Sequence, residues 1–377
     1  MARRPELSGS FWPSATQELL LQAALLPDER AESAWLALRP HFDIERLERG
    51  SLAVLPLLYQ RLAQRRLADP VVARLRGVFR YTWTRTQVAL DSLTTMLAAL
   101  QASGLDCVLL GDAALVTGYY RRPGDRALDE PAVLVEPHAI ERGRRTLEKR
   151  GWRLVASRSH GVLLTPPGTA WPPYRLVTRV LTEDVIAAPP ESLWRSRRAA
   201  TVGHVQTAAL GPTHELLRTC LLGARTPQRI VWVADATAIV RGAADEIDWD
   251  ELVHDAARLR MAPRLHDGLT YLSRAMRLEI PPTAIAQLAA EPVTRREALA
   301  HRLSGRGGHV LGNTPAIAAT HLIATQRQSP LRALGTLPRF LAGEWGLDRT
   351  SALPVAIARR AARALAAAST RGRPSAR

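Results

Sequence analysis

Two short apolar runs decide how this chain reads: Cys107-Val-Leu-Leu110, closed by Gly111, and Ala132-Val-Leu-Val135, closed by Glu136 and Pro137. Four apolar residues bounded by turn formers are too few for a buried helix and read as buried strands. Between them, Asp112 to Thr117 opens a short helix. After the second run a polar helix is expected from about 138 to 149, with proline at a favourable first-turn position and Gly151 as its stop. Trp152 to Ala156, Gly161 to Leu164 and Tyr174 to Leu181 read as further strands, and Pro166, Pro167, Pro172 and Pro173 mark the loop between the last two. The alternation predicts a small α/β unit over residues 104–210.

Outward from it, both flanks carry a helical period. Leucines recur every three to four residues around 17–26 and 51–65, and Ala89, Leu93, Met96, Leu97 and Leu100 share one face before Gly104. Gly211-Pro-Thr213 restarts the helix, with Leu216, Leu217, Cys220 and Leu221 as its stripe. Pro227 opens another helix carrying Ile230, Val233, Ala234 and Ile239, and Asp248 is placed to cap a third. The expected class is α+β: a small mixed-sheet domain (104–210) between a helical amino-terminal region (1–103) and a helical carboxy-terminal domain (211–350), with a basic Ala/Arg-rich tail (351–377).

With 46% hydrophobic residues in 377, the chain has the apolar surface to offset the entropy of ordering, so disorder throughout is excluded. Two cysteines, Cys107 and Cys220, form neither a disulfide framework nor a zinc ligand set, and suit a reducing, cytoplasmic setting. The net charge of +16 comes almost wholly from arginine, since Lys149 is the only lysine. Most arginines alternate with acids, as in Pro27-Asp-Glu-Arg-Ala-Glu32, unlike an electrostatic footprint for nucleic acid. The exception is the tail, where seven arginines from Arg349 to Arg377 follow the last acid, Asp348. It reads either as a solvated extension or as a contact for an anionic partner, and nucleic acid is not expected elsewhere. No segment has the run of apolar residues a membrane span needs. Gly305-Arg-Gly-Gly308 lacks the lysine and hydroxyl of a phosphate-binding loop, none of the ten histidines has metal-ligand spacing, and Cys107 reads as a buried small hydrophobe.

The order Leu109-Leu-Gly111, Tyr119-Tyr120, Pro123-Gly124, Arg126, Ala132 to Val135, Gly151-Trp152, His160, Tyr174, Leu193-Trp194, Pro212 to Cys220, Ile230-Val-Trp-Val-Ala-Asp235, Ile247-Asp-Trp-Asp250 and Pro281-Pro282 resembles the uncharacterised bacterial nucleotidyltransferase family of the polymerase-beta superfamily. That resemblance covers roughly residues 50–290. It implies a glycine turn at the nucleotide phosphates, two strand aspartates one residue apart that hold Mg²⁺, and a third carboxylate on a later strand. The spacing suits the chemistry, because alternate strand residues face one side and can share metals bridging a triphosphate.

This chain departs from that pattern. The resemblance puts Glu130-Pro131-Ala132 where the two aspartates belong, Leu110 where a lysine belongs, Val177 at the third carboxylate and Leu222 at a helix histidine. It implies Glu130 and Asp129 as the remaining catalytic candidates, Glu130 as the metal ligand if there is one, and Gly111, Asp112, Arg126 and His160 as nucleotide contacts. Asp129 and Glu130 read equally as a solvated loop before an edge strand. The carboxylate pattern favours a catalytically degenerate member serving as a binding or accessory protein in a biosynthetic pathway, with a protein partner there. The alternative is an active enzyme using Mg²⁺ and NTP to move NMP to a hydroxyl of a small molecule, peptide or sugar.

Overall fold

The computed structural model describes residues 12–47, 49–65, 69–158, 160–169, 172–181, 196–223, 230–295 and 297–298, and beyond these 301, 318, 321, 330–344, 347, 349–359 and 362. Leu193, Trp194, Pro227, the glycine cluster at 305–308 and the tail past 362 lie outside the described residues.

The amino-terminal flank folds as helices α1 (Ala15–Leu25), α2 (Asp28–Leu38), α3 (Arg49–Leu52), α4 (Leu55–Gln64) and the 32-residue α5 (Val71–Ala102). Local chemistry sets their ends. Ser14 accepts from the Gln17 N–H while the Gln17 side chain returns to the Ser14 N–H, a reciprocal cap that opens α1. At the far end of α5, Gly104 takes φ +71°, and the Leu105 N–H reaches back to the Leu100 carbonyl at 3.2 Å.

Next comes β1 (Val108–Leu110), α6 (Asp112–Gly118), β2 (Ala132–Leu134), α7 (Ile140–Lys149), β3 (Arg153–Arg158), β4 (Gly161–Thr165), β5 (Tyr174–Val177), β6 (Arg198–Val202) and β7 (Val205–Ala209). One seven-stranded mixed sheet results, in the order β3-β4-β5-β2-β1-β7-β6. The central pairing is β1 antiparallel to β2 (Leu110 opposite Ala132), with β5 parallel to β2 on one side and β7 parallel to β1 on the other. The mixed α+β class expected from the sequence is therefore present. The β6–β7 hairpin adds two strands that the sequence pattern does not mark, because Arg198–Val202 and Val205–Ala209 are alanine-rich, and the branched residues Thr201, Val202, Val205 and Thr207 form no apolar run or clean alternation. The fifth strand also stops at Val177, short of the expected Leu181.

Strand periodicity divides the core. Leu109, Val133, Val135, Tyr174 and Leu176 face one side and pack with Leu93, Met96, Leu97 and Leu100 of α5 and Leu147 of α7. Tyr174 is fully buried there, its hydroxyl donating to the Ala89 carbonyl at 2.7 Å. Val108, Leu110, Ala132, Leu134 and Val177 face the other way and join a second cluster with both helical flanks. On the carboxy-terminal side these helices are α8 (Pro212–Gly223), α9 (Val231–Gly242), α10 (Trp249–Arg258), α11 (Ala262–Ala275) and α12 (Pro282–Ala290), and α13 (Pro330–Glu344) follows outside that cluster. Asp248 caps α10 as expected, accepting from the Glu251 N–H at 2.9 Å. Among the described residues no helix is long and apolar enough to cross a membrane.

Candidate functional site

A cleft of about 320 Å³ opens where the second sheet face meets α8 and α9. Leu110 of β1, Ala132 of β2, Val177 of β5 and Leu222 of α8 all line it. These are the four positions at which the resemblance would put lysine, aspartate, a third carboxylate and histidine. The wall they form is apolar and close-packed, with Ala132 3% and Val177 7% exposed. The polar lining comes from Asp112, Arg126, Glu130, Arg175, Arg179, Arg218, Thr219, Trp232 and Asp235.

Arg126 is the hub of the acidic side. It lies 3% exposed and grips Asp235 with two donors, Nε at 2.9 Å and Nη2 at 3.1 Å, while Nη2 also reaches Asp112 at 2.7 Å. Burial alone would lower the guanidinium's pKa, but the two carboxylates more than offset that and hold it well above its ordinary value. The Tyr120 hydroxyl donates to Asp235 at 2.7 Å, and the second oxygen of Asp112 accepts the Glu130 N–H at 3.0 Å. Asp112 thus ties the loop before β2 to the start of α6. Both carboxylates are spent on Arg126 and its neighbours.

On the opposite wall, Glu215 and Arg218 sit one turn apart on α8. Gly111, in the left-handed region at φ +55°, lets Arg218 lie over its Cα, because a Cβ there would come within 2.5 Å of the guanidinium. Glu215 is fully buried, and burial raises its carboxyl to about 7 despite Arg218 at 3.4 Å. A raised carboxyl pKa stabilises the fold below the unfolded value and is lost as pH climbs through about 7. Glu215→Gln is therefore expected to gain about 2 to 3 kcal/mol relative to the parent between pH 5 and pH 8, at about 1.36 kcal/mol for each pH step over which the buried carboxyl stays protonated while the unfolded one ionises. Urea melts across that range read it, and parallel pH curves for the two proteins would refute it.

Not every expected residue reaches the cleft. Asp112, Arg126 and Glu130 line it and Gly111 backs it through Arg218, whereas Asp129 and His160 are not among its lining residues. His160 sits at the turn into β4, its carbonyl accepting from the Thr178 N–H. Asp235, which the sequence offers only as the end of the stretch from Ile230, is the principal partner of Arg126. Arg175, Arg179 and Arg218 were not singled out at all. The one usable signal is parity at β5, where Arg175 and Val177 share a face; Arg179 lies beyond the end of that strand.

A magnesium pair needs carboxylates that point together, and the ion insists on near-octahedral oxygen geometry. Among the acids that line the cleft, Asp112 and Asp235 are held by Arg126, and Glu130 is the third, with Ala132 next but one along the chain. This donor set does not fit a two-metal centre. A separate group, His214, Glu251 and Asp255, brings its ligand atoms within 4.8 Å of one another, which histidine spacing in sequence does not reveal because α8 and α10 supply them. There Ser196 Oγ lies 2.6 Å from His214 Nδ1, and Asp255 lies 3.1 Å from Nε2. That is a buried hydrogen-bonded chain joining two helices to the segment before β6. The cysteines are inert by burial, which pushes both thiols up to about 12.

The uncharacterised nucleotidyltransferase family matches residues 51–277, and this chain belongs to it. Two solved structures are similar. The solution structure of the antibiotic-resistance factor ANT(2'')-Ia has 13% identity and a TM-score of 0.36, covering 49% of this chain and 98% of its own. The crystal structure of an antigenic nucleotidyltransferase-like protein from Paracoccidioides brasiliensis has 14% identity and a TM-score of 0.38, covering 54% of this chain and 97% of its own. No curated protein matches the sequence.

Proposed function

We propose that this nucleotidyltransferase-family chain has given up metal-dependent transfer and uses the same cleft to bind a phosphate-bearing ligand, such as a nucleotide, in a biosynthetic assembly. The observation that carries this reading is a reversal of charge. Where the family places carboxylates the cleft has Ala132 and Val177, while Arg175 stands in register beside Ala132, and Arg179 and Arg218 complete the lining. Arg179 has no carboxylate partner among the described residues, and the partner of Arg218 is a glutamate whose raised pKa leaves it part-protonated at neutral pH. Guanidinium groups hold phosphate oxygens directly, with no cation between them. Three cleft-wall residues also hold a buried polar atom without a partner among the described residues: Arg218 Nε, Thr219 Oγ1 and Trp232 Nε1. Each such orphan costs about 1 to 3 kcal/mol, which acceptor oxygens of a ligand would recover.

Calorimetry with ATP, GTP, CTP and UTP, each with Mg²⁺ and with excess EDTA, tests this. Binding is expected to persist in EDTA and to weaken by about tenfold or more in Arg218→Ala, the scale of a charge-assisted contact. Binding that requires Mg²⁺, or pyrophosphate release in the presence of a hydroxyl acceptor, would revive the transferase reading.

A further inference from the structure

The amino-terminal half of α5 carries a surface of a different kind. Between Asp69 and Asp91 the chain has no acid, and that interval holds Arg74, Arg76, Arg80 and Arg85 interleaved with Phe79, Tyr81 and Trp83. The tail is therefore not the sole acid-free arginine run. The helix turns these residues outward: Tyr81 is 60% and Trp83 45% exposed, and Arg76 and Arg80 are exposed one turn apart on the same side as Trp83. Around the helix, Arg85 lies over the Tyr81 ring at 5.2 Å and donates to its hydroxyl at 2.9 Å, which holds ring and guanidinium as a unit. The loop after α6 abuts the same region, since a Cβ at Gly124 would meet the Phe79 ring at 2.6 Å and Trp83 at 3.1 Å. It adds the exposed Arg121 and Arg122.

We infer that this face is a docking surface for single-stranded nucleic acid, with RNA as the natural probe. Two features select that partner. The helix contributes positive charge over about 14 Å from residue 76 to 85, at 1.5 Å per residue, and Arg76 and Arg80 have no carboxylate partner among the described residues. Solvent-exposed rings set between the cations are what unpaired bases stack on, whereas a duplex hides its base faces and a plain polyanion has none. The surface lies apart from the cleft and does not depend on how the cleft is read.

Fluorescence anisotropy of the full chain with labelled oligouridine tests the inference, using a duplex of equal length, polyglutamate, phosphatidylserine vesicles and polyphosphate as competitors. Oligouridine is expected to bind with affinity that falls steeply with salt, and to be displaced far better by unlabelled single strand than by any competitor. Arg76→Glu with Arg80→Glu is expected to weaken binding by about tenfold or more and to flatten the salt slope by roughly 1.4, the share of two phosphate contacts on a single strand. Tyr81→Ala is expected to weaken oligouridine binding by about five- to a hundredfold, the scale of one lost stack at 1 to 3 kcal/mol, while leaving polyphosphate binding unchanged. All three positions are exposed, and circular dichroism melts confirm that the variants fold. Equal binding by parent and Arg76/Arg80 variant overturns the inference. So does preference for vesicles, polyglutamate or polyphosphate, or complete loss of binding on removing residues 359–377 with no effect of the helix variants.

Discussion

Arg126→Ala is expected to destabilise the fold by about 3 to 5 kcal/mol, the usual consequence of removing one partner of a buried ion pair. The guanidinium is the common counter-charge for Asp112, 14% exposed at the side chain, and Asp235, 5% exposed, and it joins the loop before β2 to α6 and α9 at once. Truncation leaves two carboxylates in a poorly solvated place, with Tyr120 as the remaining donor to Asp235. Urea denaturation of parent and variant gives the loss. Combining Arg126→Met with Asp112→Asn and Asp235→Asn is expected to recover most of the loss, because a fully neutralised buried set is much less costly than a half-neutralised one. A loss below about 1 kcal/mol in Arg126→Ala would mean that water reaches the hub and that the three charges do not organise the loop.

This hub also shows where sequence reading succeeds and where it stops. The strand and helix alternation from Cys107 to Thr165 was legible because short apolar runs with glycine or proline ends leave few alternatives, and β1 to β4 with α7 lie close to where the pattern places them. The caps at Ser14 and Asp248 and the stop at Gly104 follow from local chemistry of the same sort. By contrast, the β6–β7 hairpin depends on pairing with β1 across a hundred residues, and its alanines carry no local signal for that. The site divides in the same way. That Glu130-Pro131-Ala132 offers no Asp-x-Asp pair where the resemblance expects one is legible directly, since alanine is no ligand in any fold. The partnership of Arg126 with Asp235, 109 residues apart, is not, and neither is the gathering of Arg175 on β5, Arg179 just past its end and Arg218 on α8, because only the tertiary fold brings them to one cleft.

Ala132→Asp with Val177→Asp is expected to unsettle the fold and then make it metal-responsive, and this pair of effects tests whether the cleft once held a magnesium centre. Each substitution sets a carboxylate into a wall where Ala132 and Val177 are nearly sealed, and burying an uncompensated charge costs several kcal/mol. The strands β2 and β5 run parallel with Ala132 against Arg175 and Leu134 against Val177, so the two new acids stand on adjacent strands offset by one alternate position. With Glu130 at the mouth they supply three carboxylates around one space, the donor class that magnesium and manganese prefer. Arg175 is the rival counter-ion. It is expected to pair with the acid at 132, and adding Arg175→Gln is expected to remove that competition and strengthen the metal response. An ion that binds only the folded state stabilises it by about 2.7 kcal/mol at a hundredfold excess over Kd, a shift thermal melts resolve readily. The parent is expected to show no such shift at the same metal concentration. If the triple variant melts low and stays low in Mn²⁺, the acids do not converge, and the charge reversal in this cleft records an architecture that never held a metal pair there.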